Sequence, residues 1–181
     1  MLNYVTSNKD KITVAKKYLS PLGIDIKEIE MDLEEIQSES GEEIIKRKAK
    51  QAFSLLKEPL IVSDHFWRIP ALNGFPGAYM KYMNSWLSPQ DFLNLVAPYK
   101  DRRIFLDEYI YYIDGKNEKL FNEEIEGKVL DNAQGSNEAA SRSIISLRKD
   151  GKSIAECWEK GLDPVDNHII WEKISNWLKN N

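Results

Sequence analysis

The amino-acid sequence predicts a mixed α/β fold, in which helices pack against a central sheet. Over the first half of the chain, strand-like apolar runs alternate with segments whose apolar residues recur at helical spacing. Hydrophobic residues make up 42% of the 181 residues and charged residues 30%, which is ordinary for a globular protein. A chain of this length fits one domain, so we predict a single domain over residues 1–181.

The first half of the chain predicts strands separated by helices. Each strand is read from an apolar run or an alternating pattern, and each helix from one apolar face. In chain order, the elements are a strand at 2–6, a helix at 12–22, a strand with a bulge at 24–33, a helix at 41–57 and a short strand at 60–62. The last strand places Ser63 and Asp64 at its carboxyl end.

The second half predicts a turn and further helices and strands. The order is a turn at 73–77, helices at 79–83 and 88–96, a strand at 104–113, a hairpin turn at 114–117, strands at 119–121 and 123–130, and a helix at 168–178. Residues 131–143 are polar and predict no element.

Composition argues against several classes of protein. The net charge of −4 argues against a dominant nucleic-acid surface, so we predict no nucleic-acid partner. The single cysteine, Cys157, cannot form a disulfide framework, which favours a reducing compartment. The first residues do not resemble a signal peptide, and no apolar run is long enough to cross a bilayer. We therefore predict a cytoplasmic protein that is not bound to a membrane.

Polar side chains follow three of the predicted strands. They comprise Thr6, Ser7 and Asn8 with nearby Lys11, the acidic segment 32–35, and Ser63 with Asp64. In open α/β sheets, ligands bind outside the carboxyl ends of the strands. We therefore expect these segments to border a ligand site.

These residue types suit the hydrolysis of a phosphoanhydride. Carboxylates such as Glu35 and Asp64 would hold Mg²⁺, while Lys11, Lys48 and Lys81 would offset phosphate charge. The N-terminus of the first helix would add an anion site. The same residues also fit a structural interpretation, with a solvated strand end, a surface lysine and a turn-capping aspartate. The residue types alone leave both interpretations open.

Five segments, in this order along the chain, resemble motifs of the inosine triphosphate pyrophosphatase family. They are Thr-Ser-Asn-Lys-Asp-Lys at 6–11, Asp-Leu-Glu-Glu-Ile-Gln at 32–37, the helical segment 42–52, Leu-Ile-Val-Ser-Asp at 60–64, and Ala-Leu-Asn-Gly-Phe-Pro-Gly-Ala-Tyr-Met-Lys at 71–81. The resemblance implies an elongated mixed sheet with flanking helices, forming two lobes around a nucleotide cleft. It also implies a homodimer and attack of water at the α-phosphorus, which gives a nucleoside monophosphate and pyrophosphate.

The resemblance also assigns roles to residues. It implies that Asp64 and Glu35 are catalytic and hold Mg²⁺, with Asp64 acting as a base or a metal-linked carboxylate. The residues implied to bind the nucleoside triphosphate are Thr6, Ser7, Asn8, Lys11, Lys48, Lys81 and His168.

The chain departs from the family pattern in several places. Ser63 stands where the family has an acidic residue, and His65 is predicted either to tune proton transfer or to be structural. The base-reading Phe-Gly-(Trp/Tyr)-Asp-Pro motif is absent, and the later Ser-His-Arg motif is replaced over 161–168. Our main hypothesis is a pyrophosphatase for inosine- or xanthosine-type triphosphates or a related nucleotide. The alternative is a catalytically impaired nucleotide-binding homologue with altered base specificity.

Overall fold

The computed structural model describes residues 1–34, 36, 38–136 and 139–180, and it confirms the mixed α/β fold. The strands are β1 (Leu2–Val5), β2 (Ile26–Ile29), β3 (Leu60–Arg68), β4 (Pro76–Gly77), β5 (Arg103–Ile113), β6 (Glu118–Val129) and β7 (Ile145–Ser146). The α-helices are α1 (Lys9–Leu19), α2 (Gly41–Leu56), α3 (Met80–Trp86), α4 (Pro89–Val96), α5 (Ala140–Ile144), α6 (Ile154–Glu159) and α7 (Ile169–Lys179). None of the helices in these ranges combines the length and the apolar character that a membrane span requires.

The strands of the described residues form one seven-stranded mixed sheet. The order is β2-β1-β3-β5-β6-β7, and β4 pairs with β3. β1 is parallel to β2 and to β3, whereas β4 and β7 are antiparallel to their neighbours β3 and β6. Val5 is in register with Val62, so the residues that follow β1 lie beside Ser63 and Asp64 in β3.

The chain forms two compact units. The first contains the described residues of Met1–His65, Glu108–Glu123 and His168–Asn181, and the second contains those of Phe66–Asp107 and Glu124–Asn167. The single domain predicted from chain length stays a prediction.

In the first unit, the strands bury apolar side chains on both faces. Tyr4, Ile61 and Ile110 share a core cluster with residues of α1 and α7, so we name this side of the sheet the α1/α7 face. Val62 and Tyr111 share a second cluster with residues of α2, which defines the α2 face. Because successive strand residues point to opposite faces, each polar residue of β3 can be assigned to one face.

The second unit has its own core. Its buried apolar side chains come from α3, α4 and α5 and from β5, β6 and β7. At the edge of this core, the Arg68 guanidinium binds Asp107 through Nε and donates from Nη2 to Glu124 over 2.6 Å. These contacts join three strands in the interior of the sheet.

Most predicted elements are confirmed, but two strand predictions in the first half are wrong in their bounds. β2 ends at Ile29, and not at residue 33, because its partner β1 ends at Val5, which is in register with Ile29. β3 continues beyond residue 62 to Arg68, and its Trp67 and Arg68 pair with Gly77 and Pro76 of β4. Ser63 and Asp64 therefore lie inside a strand and not at its end.

In the second half, the two strands predicted at 119–121 and 123–130 are one continuous strand, β6. The helices α5 and α6 and the strand β7 were not predicted, because each has six residues or fewer and shows too little of a repeat.

Candidate active site

The turn between β1 and α1 is built around the predicted residues Thr6 and Asn8. Asn8 is the N-cap of α1, where its Oδ1 accepts hydrogen bonds from the backbone N–H of Asp10 at 2.9 Å and of Lys11 at 3.4 Å. The Asn8 N–H donates to Thr6 Oγ1 at 3.1 Å, and Ser7 is exposed between them. The turn thus presents the N-terminus of α1, which favours negative charge, beside β3.

Asp64 lies on the α2 face of β3, between two sources of positive charge. Its Oδ2 accepts a hydrogen bond from Lys48 Nζ at 2.8 Å, and its Oδ1 accepts one from the His65 backbone N–H at 2.9 Å. Lys11 Nζ donates to the backbone oxygen of Ser63 at 3.2 Å. Burial raises the pKa of Asp64, but the Lys11 and Lys48 amines outweigh it, so the pKa is lowered. Asp64 is therefore ionised at neutral pH.

Helix α2 brings Lys48 to this position because its apolar side packs on the sheet. Ile45, Ala49 and Ala52 are fully buried on that side, and Lys48 lies next to them in the helical repeat. The side chain of Lys48 is only 15% exposed, so its aliphatic stem is covered while its amine reaches Asp64.

A second polar group lies on the α1/α7 face, the opposite side of β3. Ser63 points to this side, and its Oγ lies 2.5 Å from the Tyr4 hydroxyl, with both side chains buried. Burial raises the pKa of Tyr4 far above its ordinary value, and the charge of Glu108 adds to this, so the phenol keeps its proton. The residue that replaces the family's acidic group is therefore engaged inside the fold.

Glu108 in β5 is the centre of this buried group and is 6% exposed. The two histidines of the chain approach its two oxygens. His65 Nε2 lies 3.5 Å from Oε1, and His168 Nδ1 lies 3.8 Å from Oε2. Burial raises the pKa of Glu108, but the His168 and His65 imidazoles lower it more strongly, so its pKa is well below the ordinary value. Glu108 is thus a buried anion held between two imidazoles.

The structure brings some of the predicted site residues together. Lys11, Lys48 and Asp64 meet at β3, beside the turn that contains Thr6, Ser7 and Asn8. His168 lies elsewhere, buried at the start of α7 on the α1/α7 face.

Two further predicted residues cannot be placed at this site. Lys81 belongs to α3 in the second unit, and Glu35 lies outside the described residues. The roles assigned to these residues and to the rest of the set stay predictions.

Sequence reasoning missed Tyr4 and Glu108. A signal for Glu108 was present, because it occupies the apolar side of the alternation in β5, in line with Leu106 and Ile110. A charged residue at such a position is buried and must have partners. Tyr4 carries no such signal, since it lies in an apolar run where a tyrosine is ordinary.

The described residues can be tested against the expected Mg²⁺. No cluster of three or more acidic, histidine or cysteine side chains suited to a metal occurs among them. Mg²⁺ is commonly bound by one or two carboxylates together with substrate phosphates, and it keeps several waters. Asp64 is ionised and its side chain is 30% exposed, so it fits that kind of binding.

Comparison with known proteins identifies the relationship. Residues 2–161 match the model of the Ham1 family. This chain belongs to the Ham1 family. The match includes the β1–α1 turn, Lys48 and Asp64, and it extends over most of both units.

Relatives of this Ham1 family chain align along almost its whole length. A dITP/XTP pyrophosphatase from Thermococcus kodakarensis is 28% identical over 181 residues, which cover 99% of this chain and 98% of the relative. An inosine triphosphate pyrophosphatase from Fusarium vanettenii is 34% identical over 186 residues, with 98% and 96% covered. The resemblance read from the five sequence motifs is therefore confirmed.

Solved Ham1 proteins have the same fold. The structure from Coxiella burnetii matches with a TM-score of 0.77 at 20% identity and covers 100% of both chains. The structure from Staphylococcus aureus matches with a TM-score of 0.76 at 23% identity and covers 99% of both. These matches extend the agreement to the second half, where the sequence motifs had diverged.

Proposed function

We propose that this chain hydrolyses a nucleoside triphosphate to a nucleoside monophosphate and pyrophosphate. The first substrates to test are inosine- and xanthosine-type triphosphates, which are named for its relatives. The observation that carries the proposal is the position of the Asp64 carboxylate, with Lys48 and Lys11 beside it and the N-terminus of α1 adjacent.

The arrangement suits a triphosphate for electrostatic reasons. The Lys11 and Lys48 amines can each donate to phosphate oxygens, and the turn before α1 adds backbone donors. In the reaction, the water oxygen forms a bond to the α-phosphorus while the bond from that phosphorus to the bridging oxygen breaks. The water releases a proton, and pyrophosphate leaves. Little covalent work falls to the protein, so positioning and charge neutralisation decide the rate.

The lowered pKa of Asp64 supports one of the two roles predicted for it, that of a metal-linked carboxylate. A carboxylate with a lowered pKa is a weak general base, because proton transfer is most efficient when the pKa lies near the working pH. We therefore assign Asp64 an electrostatic role, in which it holds Mg²⁺ together with the phosphates, and Glu35 remains the second proposed ligand. Bound Mg²⁺ would neutralise phosphate charge and orient the triphosphate. Lys81 and Ser7 remain proposed substrate contacts, whereas for His168, which is buried on the α1/α7 face, a substrate contact stays a prediction from its motif position.

Product analysis tests this proposal. The purified protein is incubated with Mg²⁺ and a panel of triphosphates, and monophosphate and pyrophosphate are measured. In ¹⁸O-labelled water, attack at the α-phosphorus places the label in the monophosphate. Asp64→Asn should remove most of the activity, whereas Asp107→Asn, which breaks a different carboxylate–cation pair, should not. A folded wild-type protein that cleaves none of the triphosphates would contradict the proposal.

A catalytically impaired nucleotide-binding homologue is the second candidate. The observation that favours it is Ser63, whose hydroxyl is engaged with Tyr4 where the family motif has a carboxylate. Calorimetry separates the two candidates. Binding of a triphosphate with no pyrophosphate released, and with no change on Asp64→Asn, would favour the second.

We also propose that the protein is a homodimer that acts in the cytoplasm without nucleic acid. The dimer and the compartment rest on the family resemblance and the cysteine usage described above, and the net charge of −4 supports the lack of a nucleic-acid partner. Light scattering at micromolar concentration tests the dimer, and a mass of one chain would contradict it.

A further inference from the structure

Each residue of the β3 segment 63–65, which contains Asp64, has a polar contact with a neighbouring element. The Tyr4 hydroxyl holds the side chain of Ser63, and Lys11 Nζ holds its carbonyl oxygen. Lys48 and the His65 N–H hold the carboxylate of Asp64. The remaining contact is that of the His65 imidazole with Glu108, which lies on the opposite face of the sheet from Asp64.

Glu108 is the group that this segment shares with the start of α7. Its Oε1 faces His65 and its Oε2 faces His168, the residue that precedes α7. A carboxylate can only accept hydrogen bonds, so it favours a proton on each ring nitrogen that faces it. Glu108 thereby lies against one ring nitrogen of each imidazole, 3.5 Å from His65 Nε2 and 3.8 Å from His168 Nδ1, and its charge favours the observed orientation of both rings.

The contact between Glu108 and His65 differs from a surface contact because the Glu108 side is buried. Glu108 is 6% exposed, whereas the side chain of His65 is 33% exposed. Burying a carboxylate costs free energy unless the charge is paired. The folded state is therefore more stable when Glu108 stays next to both imidazoles. His65 directly follows Asp64 in β3, the segment that we propose binds the triphosphate.

We propose that Glu108 is a positioning residue for the proposed pyrophosphatase reaction, acting on Asp64 through the His65 side chain. The proposal rests on the proposed function and adds to it a residue that does not touch the substrate. Reacting groups misplaced by about 1 Å can lose roughly 10²-fold in rate. We therefore expect Glu108→Gln to lower kcat by about 10–100-fold with little change in KM, since one amide oxygen cannot serve two ring nitrogens.

The chain offers a matched control in Glu123. Its carboxylate accepts a hydrogen bond from the Ile170 N–H at 2.7 Å, so it also holds the start of α7, and none of the hydrogen bonds or ion pairs among the described residues joins it to His65. Glu123→Gln should weaken the fold and leave kcat unchanged. An equal loss of kcat in both variants would show that only the anchoring of α7 matters, and would overturn the proposal.

Double substitution tests whether Glu108 acts through His65. His65→Gln should lower kcat to a similar degree, and Glu108→Gln should then cost little more in the His65→Gln background. If the double variant instead loses kcat by the product of the two single losses, the two residues act independently and the proposal is overturned. If Glu108→Gln fails to fold, His65→Gln still decides the question, because full activity in that variant excludes any action through the imidazole.

A spectroscopic readout separates failure of this proposal from failure of the proposed function. The chain has two histidines, so its imidazole Cε1–H signals can be assigned with His65→Gln and His168→Gln. At one fixed pH, Glu108→Gln should shift both signals, and Glu123→Gln at most that of His168. An unmoved His65 signal would overturn the positioning role even in an active enzyme. If the wild-type protein cleaves no triphosphate although Glu108→Gln shifts both histidine signals, the proposed reaction is refuted. The role of Glu108 in catalysis is then refuted with it.

Discussion

The two faces of β3 use similar charged groups for different purposes. On the α2 face, Asp64 and Lys48 form a pair whose side chains are 30% and 15% exposed. On the α1/α7 face, Glu108 is almost fully buried and is held between two imidazoles. The first pair is partly exposed and can meet a ligand, while the second group is buried within the fold.

The difference in exposure suits the two groups to the different roles that we propose for them, Asp64 to binding and Glu108 to positioning. An accessible carboxylate beside two amines can exchange partners when phosphates and a cation arrive. A buried carboxylate cannot do so without an energetic penalty, and it is better suited to fixing its neighbours. Successive residues of a strand point to opposite faces, so Asp64 faces the proposed binding site and the next residue, His65, faces Glu108.

The largest effect is expected on the α2 face, for Lys48→Met. Removing a preorganised cation from the phosphate site should lower kcat/KM by about 10²–10³-fold. Steady-state kinetics on the best triphosphate would measure this loss. Lys46→Met is the matched control, because Lys46 is exposed on the same helix, and its activity should stay within about twofold of the wild type. Equal activities of the two variants would remove Lys48 from the site.

Much of the α2 face could be predicted from sequence because its signals are local. The strand, polar turn and helix at the N-terminus follow from an apolar run, an N-cap residue and helical spacing. The motif order then predicted that Lys11, Lys48 and Asp64 belong together, and the structure places them at β3. Glu35 was predicted with the same group but lies outside the described residues.

The α1/α7 face could be predicted less well, because its contacts join distant segments. Glu108 pairs with residues from β3 and from the start of α7, and no spacing within one element reveals such a set. The strand bounds failed for a related reason, since where β2 ends and how far β3 continues depend on the partners each strand finds. His168 was predicted as a substrate contact from motif position alone, which does not reveal that it is buried.

The second largest effect concerns stability on the α1/α7 face. Glu108→Gln should lower the free energy of unfolding at pH 7 by roughly 2 kcal/mol, because it removes the buried carboxylate that both imidazoles face. The pKa of Glu108 in the folded protein lies below its ordinary value of 4.5. Its contribution is therefore complete above about pH 5 and is lost as the pH falls toward the folded pKa. Urea unfolding from pH 7 to pH 3 should show the wild type approaching the variant. A constant difference would mean that Glu108 is uncharged in the fold.

A smaller effect is expected at the buried hydroxyl pair of the same face. Tyr4→Phe leaves Ser63 Oγ buried without this partner and should cost about 1–3 kcal/mol of unfolding free energy. Adding Ser63→Ala should recover part of that loss, since removing both partners leaves no unsatisfied group. Tyr99→Phe is the control, because Tyr99 is 45% exposed, and it should change stability by less than about 0.5 kcal/mol. Strict additivity of the two substitutions would show that the hydroxyls do not interact.

The smallest effects are expected at Asn8, the N-cap of α1. Two substitutions there distinguish its contribution to stability from its contribution to substrate binding. Asn8→Ala removes the N-cap and should cost about 1 kcal/mol of stability, whereas Asn8→Asp keeps an acceptor for the Lys11 and Asp10 amides and should cost almost none. Asn8→Asp also places a carboxylate where we propose that phosphates bind. It should therefore raise KM about tenfold, which corresponds to the loss of roughly one charge-assisted hydrogen bond. Thermal unfolding and kinetics on the same preparations measure the two quantities. A stable Asn8→Asp variant with an unchanged KM would confine Asn8 to capping the helix, and the phosphate site would then depend on the amines alone.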